Sequence, residues 1–236
     1  LTENQFDYLL ISPLELIEAA QTLADYRRSD GLEPTVIDLE DIMDEFNHGI
    51  YSPWAIRDFL SYAYKEWEKR PTYVVLVGAG TYDYKNYMGL GGNLIPPMMV
   101  TSPDGIMPAD SRFADVLNDD GVPEMAIGRI PVFTAQELYA YIDKVVAYEH
   151  NAQSNLNSRV LLVADDPDKG GNFPSDSDEL ISILPPSYSW EKISLSDMSL
   201  QDARTNFFNS LDGAGFVNYI GHGSMDRLTD EGLLLV

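Results

Sequence analysis

Apolar residues in this chain fall into short continuous runs separated by amphipathic stretches, a pattern typical of alternating strands and helices. The runs at residues 8–11, 35–39 and 73–77 predict buried strands. Spacings of three and four between apolar positions predict helices that follow Ser12 and Ser52. Alternation of this kind indicates an α/β fold with parallel strand pairing and right-handed crossovers.

Local signals refine the first half of the chain. Residues 12–15 and 134–137 each have the sequence of a helix capping box. Residues 81–124 are rich in Gly, Pro, Asn and Asp, so we expect a surface excursion of the kind that carries function. Within it, an Asn-Asp-Asp-Gly turn predicts a hairpin between residues 114–116 and 125–130. That hairpin would give the sheet an antiparallel edge.

A polar segment without periodicity, residues 151–157, indicates a junction between subdomains. We therefore expect an N-terminal α/β subdomain at 1–150 and a second α/β subdomain at 151–236. The second half repeats the alternation, with predicted strands at 160–163, 193–195 and 216–220 and predicted helices at 180–184 and 200–208.

The most suggestive stretch for chemistry is GFVNYIGHGS, which contains the last of these predicted strands. His222 would lie just past the carboxyl end of that strand, at the edge where open parallel sheets bind ligands. A catalytic histidine and a turn histidine with satisfied hydrogen bonds are both compatible with this position.

A second candidate region is the loop at residues 165–179, which has six carboxylates in fifteen residues. Such density is costly unless a cation, a basic substrate or open water compensates it. The EF-hand pattern fails because its twelfth position is Ser177. A helix cap at Ser175 or Asp176 and an irregular structural calcium site both stay open. The candidate calcium ligands are Asp166, Asp168 and Asp176.

Nucleotide cofactors are not expected. Residues 78–80, Gly-Ala-Gly, follow a strand, but the third glycine of a dinucleotide fingerprint and the GK[ST] of a P-loop are both missing. No cofactor is therefore required by the sequence.

Composition narrows the possible partners and catalytic mechanisms further. The 236 residues carry a net charge of -23, which disfavours nucleic acid and anionic membrane surfaces as partners. No cysteine occurs, so disulfides and a cysteine nucleophile are excluded within these residues. No apolar run is long enough to insert into a membrane, and the start, LTENQFDYLL, lacks the features of a signal peptide.

Several stretches together resemble one family. They are NYIGHGS around His222, YVVLVG at 73–78, MPADSRFAD at 107–115 and MAIGRIPV at 125–132 with its following helix. In order and spacing they resemble the gingipain-type cysteine peptidases, the C25 family of the caspase-like group, over most of residues 5–236. The resemblance implies a caspase-like fold with flavodoxin-like topology, in two subdomains, and a bacterial protein exported to the cell surface or beyond.

The resemblance also implies catalytic roles. His222 would assist deprotonation of a thiol and protonate the leaving amine, and the backbone N–H of Gly223 would help to hold the oxyanion. Asp165, with Asp166 close behind it, matches the family's acid that orients the histidine.

Substrate-binding roles follow from the same resemblance. Asp176, with Asp178 as the alternate, matches the acid that receives a basic substrate side chain. Asp110 matches an acidic position on the active-site side, although a turn-capping aspartate fits it equally well.

The family's nucleophile is a cysteine on the next strand, and this chain stops at Val236 without one. We expect a cysteine endopeptidase whose nucleophile lies outside the given residues, so that these residues alone are inactive. A protein or peptide would be the substrate, and an open sheet edge could associate with another segment. The alternative is a non-catalytic caspase-like module for secretion or cell-surface assembly.

Overall fold

A computed structural model of the chain describes residues 4–89, 91–102, 105–151, 158–224 and 226–235. It divides into two compact units, Leu1–Val146 and Ala147–Val236. Apart from Asn151, the expected junction at 151–157 lies outside the described residues, and the boundary at residue 150 stays a prediction.

The first unit is built around a four-stranded parallel sheet in the order β2-β1-β3-β6. Two further strands, β4 and β5, form a separate antiparallel hairpin. The elements in chain order are β1 (Tyr8–Ser12), α1 (Ile17–Ser29), β2 (Pro34–Asp38), α2 (Leu39–Asn47), α3 (Pro53–Glu66), β3 (Tyr73–Val77), β4 (Met99–Ser102), β5 (Gly105–Pro108), β6 (Ala126–Ile130) and α4 (Ala135–Asn151).

Apolar layers cover both faces of this sheet, because neighbouring side chains of a strand point to opposite faces. Leu9 of β1 belongs to the layer formed with α2 and α3, whereas Leu10 belongs to the layer formed with α1 and α4. Both side chains have no exposed surface. A strand buried on both faces explains why the sequence runs here are continuously apolar.

Two of the predicted helix starts are confirmed and one is wrong. Ser52 caps α3 by accepting a hydrogen bond from the Trp54 N–H at 3.3 Å. The box before α4 is complete, since the Glu137 N–H donates to Thr134 Oγ1 and Glu137 Oε2 accepts from the Thr134 N–H, both at 3.2 Å. Ser12 instead ends β1, and its hydroxyl donates to the carbonyl of Pro13, so α1 begins only after a short 3-10 turn.

The predicted antiparallel edge is also wrong, because β6 pairs with β3 in parallel. Residues 114–116 form no strand. Backbone N–H groups that a hairpin would pair with carbonyls donate instead to side-chain carboxylates. The Val116 N–H donates to Glu124 at 2.7 Å, and the Gly121 N–H donates to Asp115 at 2.9 Å. The excursion instead contains the β4–β5 hairpin.

The second unit has a three-stranded parallel sheet in the order β8-β7-β9. Its core joins α6 to this sheet through residues such as Leu161, Phe207 and Leu233. The elements in chain order are β7 (Arg159–Ala164), α5 (Phe173–Ile183), β8 (Ser189–Ser194), α6 (Leu200–Leu211), β9 (Phe216–Ile220), β10 (Arg227–Leu228) and β11 (Leu234–Leu235).

Each parallel sheet reverses its strand order beside its first strand, between β1 and β3 in one unit and between β7 and β9 in the other. Crevices at the carboxyl ends of such strands are the usual ligand sites of open α/β sheets. The predicted α/β class with parallel sheets flanked by helices is confirmed. None of the described helices is long and apolar enough to cross a membrane.

Candidate active site

Asp165 and His222 meet at the reversal point of the second unit. Asp165 follows β7 and His222 follows β9, which are paired neighbours. The Asp165 N–H donates to the carbonyl of Ile220 at 3.0 Å, and Asp165 Oδ2 accepts from the backbone N–H of His222 at 3.0 Å. Asp165 is only 4% exposed. Its carboxylate therefore fixes the main chain of the histidine.

Gly221 makes this close approach sterically feasible. A Cβ atom at this position would lie 2.3 Å from the Cβ of Asp165 and 2.5 Å from the hydroxyl of Tyr219. A Cβ atom does not approach non-bonded heavy atoms this closely, so any side chain here would push the His222 backbone away from Asp165. The glycine that precedes the histidine is thus a requirement of packing.

The imidazole ring of His222 is held by a different carboxylate. Its Nε2 lies 2.8 Å from Oδ2 of Asp168. An ionised carboxylate can only accept hydrogen bonds, so Nε2 carries the proton, and in the neutral ring Nδ1 is left as the acceptor. The edge of Phe173 packs against the ring at a centroid distance of 5.3 Å. A Cβ at Gly170 would lie 3.1 Å from Nε2, so the loop passes close to this edge of the ring.

Asp168 is kept ionised by its own loop. The Gly170 N–H donates to Asp168 Oδ1 at 2.6 Å, and the Asp168 N–H donates to the carbonyl of Gly171 at 3.0 Å. The bond from Gly170, followed by that from His222, holds the pKa of the Asp168 carboxyl below its ordinary value. A carboxylate with this lowered pKa is a permanent acceptor for a protonated imidazole.

The carbonyl of His222 is anchored from the other side of the loop. It accepts hydrogen bonds from the Tyr219 hydroxyl and, at 2.9 Å, from the Thr229 N–H. Burial, followed by the charge of Asp165, raises the pKa of Tyr219, so that hydroxyl stays a neutral donor. Thr229 is 1% exposed with φ of 63°, a conformation that is rare for a β-branched residue and typical of constrained sites.

The catalytic residues expected from the sequence are His222, Asp165 and Gly223, and the structure shows where each of them lies. His222 and Asp165 are brought together, but Asp168 rather than Asp165 contacts the ring. Gly223 is exposed and forms an antiparallel bridge to Leu228. The hydrogen bonds of that bridge come from the N–H groups of Ser224 and Thr229, so the bridge does not use the N–H of Gly223.

The two acids expected to bind substrate in this unit differ in their partners. Asp178 forms an ion pair with Lys192 at 2.6 Å. Asp176 lies exposed in the first turn of α5 and forms no ion pair with any described residue. Its Oδ2 is 3.9 Å from the position that a Cβ on Gly171 would take, and Gly171 follows the glycine whose own Cβ would lie 3.1 Å from the His222 ring. The α5 cap is Asn172, which accepts from the Ser175 N–H at 3.3 Å, and neither Ser175 nor Asp176 takes that role.

Asp110 belongs to the first unit, where Arg129 holds it by two hydrogen bonds of 2.6 and 2.9 Å. The same guanidinium donates to the carbonyls of Gly78 and Ile95 at 2.9 and 2.8 Å. Asp110 therefore helps to fasten the excursion to the sheet edge, and its expected contact with substrate stays a prediction.

The expected calcium ligands show no convergence. Within the described ranges, no three histidine, aspartate or glutamate side chains are arranged to hold a metal ion. Burial, and then the charges of Glu231 and Asp165, raise the pKa of Asp166. Calcium at Asp166, Asp168 and Asp176 stays a prediction.

A carboxylate hydrogen-bonded to a histidine ring, at the carboxyl ends of paired parallel strands, marks the candidate site of this α/β unit. The chain belongs to peptidase family C25, whose family model matches residues 1–236. The predicted family is thereby confirmed, and the chain is a gingipain-like peptidase domain.

Individual relatives agree with this assignment. Gingipain R2 of Porphyromonas gingivalis (strain ATCC BAA-308 / W83) is 26% identical over 230 residues, which is 92% of this chain and 27% of the relative. The crystal structure of the Arg-specific cysteine proteinase gingipain R matches with a TM-score of 0.70 and 22% identity, over 96% of this chain and 49% of that one. Dimeric latent PorU from Porphyromonas gingivalis matches with a TM-score of 0.54 and 21% identity, over 75% of this chain and 20% of that one. The chain thus spans about half or less of each of these proteins.

Proposed function

We propose that these residues form the acid–base part of a cysteine endopeptidase that cleaves next to basic residues. The observation that carries the proposal is the contact of 2.8 Å between His222 Nε2 and Asp168, in a chain of peptidase family C25. A histidine whose Nε2 donates to a carboxylate can accept a proton at Nδ1 and then hold it as an imidazolium.

The proposed reaction uses a thiol from a residue outside this cysteine-free chain. His222 Nδ1 takes the thiol proton, and the thiolate attacks the substrate carbonyl. The Gly223 N–H donates to the oxygen that becomes negative. His222 then gives its proton to the leaving amine, and a water molecule hydrolyses the acyl-enzyme. Asp168 stabilises the imidazolium, and Asp165 acts one step away by holding the main chain of His222.

Selectivity for a basic side chain is assigned to Asp176. Its carboxylate has no cationic partner among the described residues, whereas Lys192 already neutralises Asp178. A substrate arginine or lysine close to His222 would supply the missing positive charge in a charge-assisted hydrogen bond.

The setting we propose is extracellular or at the bacterial cell surface, as for the family to which the sequence points. Edge strand β9 has only β7 as a neighbour in the described sheet, so we also propose that a further segment pairs along β9. A non-catalytic caspase-like module for secretion or cell-surface assembly is the competing function.

The test uses the full-length protein with peptides that carry arginine, lysine or neutral citrulline before the cleaved bond. We expect cleavage after the basic residues, and a loss of about 100-fold or more in kcat for His222→Ala, because a general acid–base group contributes that much. His48→Asn is the matched control outside the site and should leave kcat unchanged. Asp176→Asn should reduce the preference for arginine over citrulline, and Asp178→Asn should not.

Two outcomes would contradict the proposal. Full kcat in His222→Ala would remove the histidine from the mechanism. A full-length protein that neither cleaves these peptides nor reacts with a thiol-directed probe would favour the non-catalytic module.

A further inference from the structure

A cavity of about 550 Å³ lies in the first unit and is lined only by residues of that unit. We name it the α2–α3 groove, since it runs between these two helices beside edge strand β2. The residues that define it here are Ile37, Asp41, Glu45, Phe46, Tyr62 and Trp67.

The walls of the α2–α3 groove are aromatic and mutually supported. The Phe46 ring lies 5.6 Å from that of Phe59 and 5.9 Å from that of Tyr62, and Phe59 in turn contacts Trp67 at 6.0 Å. Phe46 and Tyr62 are half-buried, so each presents part of its ring surface to the cavity. Such a wall is already formed before a ligand arrives, which lowers the entropy cost of binding.

Trp67 contributes an unsatisfied polar group to this wall. The side chain is 7% exposed, and its indole Nε1 has no hydrogen-bond partner among the described residues. A buried donor without an acceptor costs stability, and native proteins leave few of them unexplained. A carbonyl oxygen of a bound ligand, reached by a small shift of the indole, would satisfy it.

The charge of the groove is also unbalanced. Asp41 and Glu45 are one turn apart on α2, both exposed, and both line the cavity. Neither forms a salt bridge with a described residue. Like charges at this spacing repel each other along a helix, so a cation between them would stabilise the protein.

We propose that the α2–α3 groove binds an arginine side chain of a polypeptide partner. The guanidinium would lie between the carboxylates of Asp41 and Glu45 and pack against the rings of Phe46 and Tyr62, which are inclined at 55° to each other. Arginine fits better than lysine because its planar fork hydrogen-bonds two acceptors at once and stacks on aromatic faces. The site would tether an arginine-bearing chain independently of its cleavage, so the proposal goes beyond the peptidase function.

The test is a nuclear magnetic resonance titration of the 236-residue chain with the peptide acetyl-Gly-Arg-Gly-amide and its citrulline analogue. The indole N–H signal of Trp67 reports on the groove, and those of the exposed Trp54 and Trp190 are internal controls. We expect the arginine peptide to shift the Trp67 signal alone. The citrulline peptide has the same shape without the charge and should leave that signal in place.

Variants of one helix separate a built site from general attraction to an acidic protein. Asp41→Asn or Glu45→Gln should each weaken binding about tenfold, the effect of one charge-assisted contact. Asp44→Asn removes the same charge from α2 outside the groove and should leave binding unchanged.

Three results would overturn the proposal: no shift of the Trp67 signal, equal binding of the citrulline or a lysine peptide, or equal weakening by Asp44→Asn.

Discussion

At the scale of single residues, His222 depends on two carboxylates with separate contacts. Asp165 accepts the backbone N–H at 3.0 Å and Asp168 accepts the ring N–H at 2.8 Å. Asp165 is buried, whereas Asp168 is half exposed. We therefore assign Asp165 to the position of the loop and Asp168 to the orientation and charge of the ring.

Gly221→Ala tests the first assignment. The added Cβ would clash with Asp165 at 2.3 Å, so we expect the free energy of unfolding to fall by about 1 to 3 kcal/mol, as for other overpacked sites. Gly223→Ala is the matched control, because its nearest heavy atom would be 3.7 Å away. Urea unfolding of the two variants is the measurement. Equal stability of Gly221→Ala and the wild type would show that the loop is not packed as described.

The assignment of Asp168 to the His222 ring predicts that the stability of the protein depends on pH. The pKa of Asp168 is lowered from 3.8 in the folded chain, so its contribution to stability is present above pH 3.8 and is lost as the pH falls through the lower folded value. The stability difference between the wild type and Asp168→Asn should therefore shrink as the pH falls below 3.8. Chemical unfolding of both proteins at a series of pH values measures it. A difference that does not change in acid would contradict the ionised contact.

Sequence reasoning found His222 and the acidic loop but not the partner of the ring. Position along the chain places Asp165 at the strand end, because strand boundaries follow from apolar runs. It does not show that the loop turns back at Gly170 and Gly171, which brings Asp168 to Nε2 of the ring. The paired glycines were the available signal, since they allow a backbone to approach a side chain closely. Tyr219, Thr229 and Phe173 were missed because their contacts depend on tertiary packing.

At the scale of elements, the first turn of α5 supplies residues to the candidate site. The helix begins at Phe173, which packs on the His222 ring, and holds Asp176 in its first turn. The sequence predicted its apolar part at residues 180–184 and left a cap at Ser175 or Asp176 open, because the first turns are mostly polar and show no periodicity. Helix α2 was missed because Leu39 continues the apolar run of the preceding strand and was assigned to that strand. In the structure Asp38 caps a helix that begins at Leu39, by accepting a hydrogen bond from the Glu40 N–H at 2.9 Å.

Asn172→Ala tests the role of the α5 cap. Loss of the side-chain acceptor for the Ser175 N–H should lower the free energy of unfolding by about 1 kcal/mol, the usual cost of losing a cap. Asn172→Asp keeps an acceptor and should retain most of that stability. Thermal unfolding of the three proteins compares them. An equal loss of stability in Asn172→Ala and Asn172→Asp would show that the side-chain acceptor at residue 172 does not stabilise the start of α5.

At the scale of the whole molecule, the first unit has what an independent domain needs. Its four-stranded sheet is covered on both faces by separate apolar layers, and each layer includes side chains from two helices. The sequence predicted the strands, the parallel pairing and the class, because these follow from periodicity. It did not predict the parallel edge strand, because the turn residues before β6 act through carboxylates instead of a hairpin ladder.

Residues 1–150 alone should therefore fold. We expect cooperative urea unfolding and a dispersed amide spectrum that overlays the corresponding signals of the 236-residue chain, because few of the core contacts of a domain depend on its neighbours. A fragment that is soluble but unfolds without a cooperative transition would contradict the division into two units.

The most direct test of the peptidase assignment is a crystal structure of the full-length protein inactivated by an arginine-based halomethyl ketone. This reagent alkylates a catalytic thiol while its side chain occupies the specificity site. We predict a bond to a cysteine sulfur that faces Nδ1 of His222, with Asp168 still on Nε2 and the guanidinium hydrogen-bonded to Asp176. An adduct remote from His222, or no adduct after complete exposure to the reagent, would contradict the account.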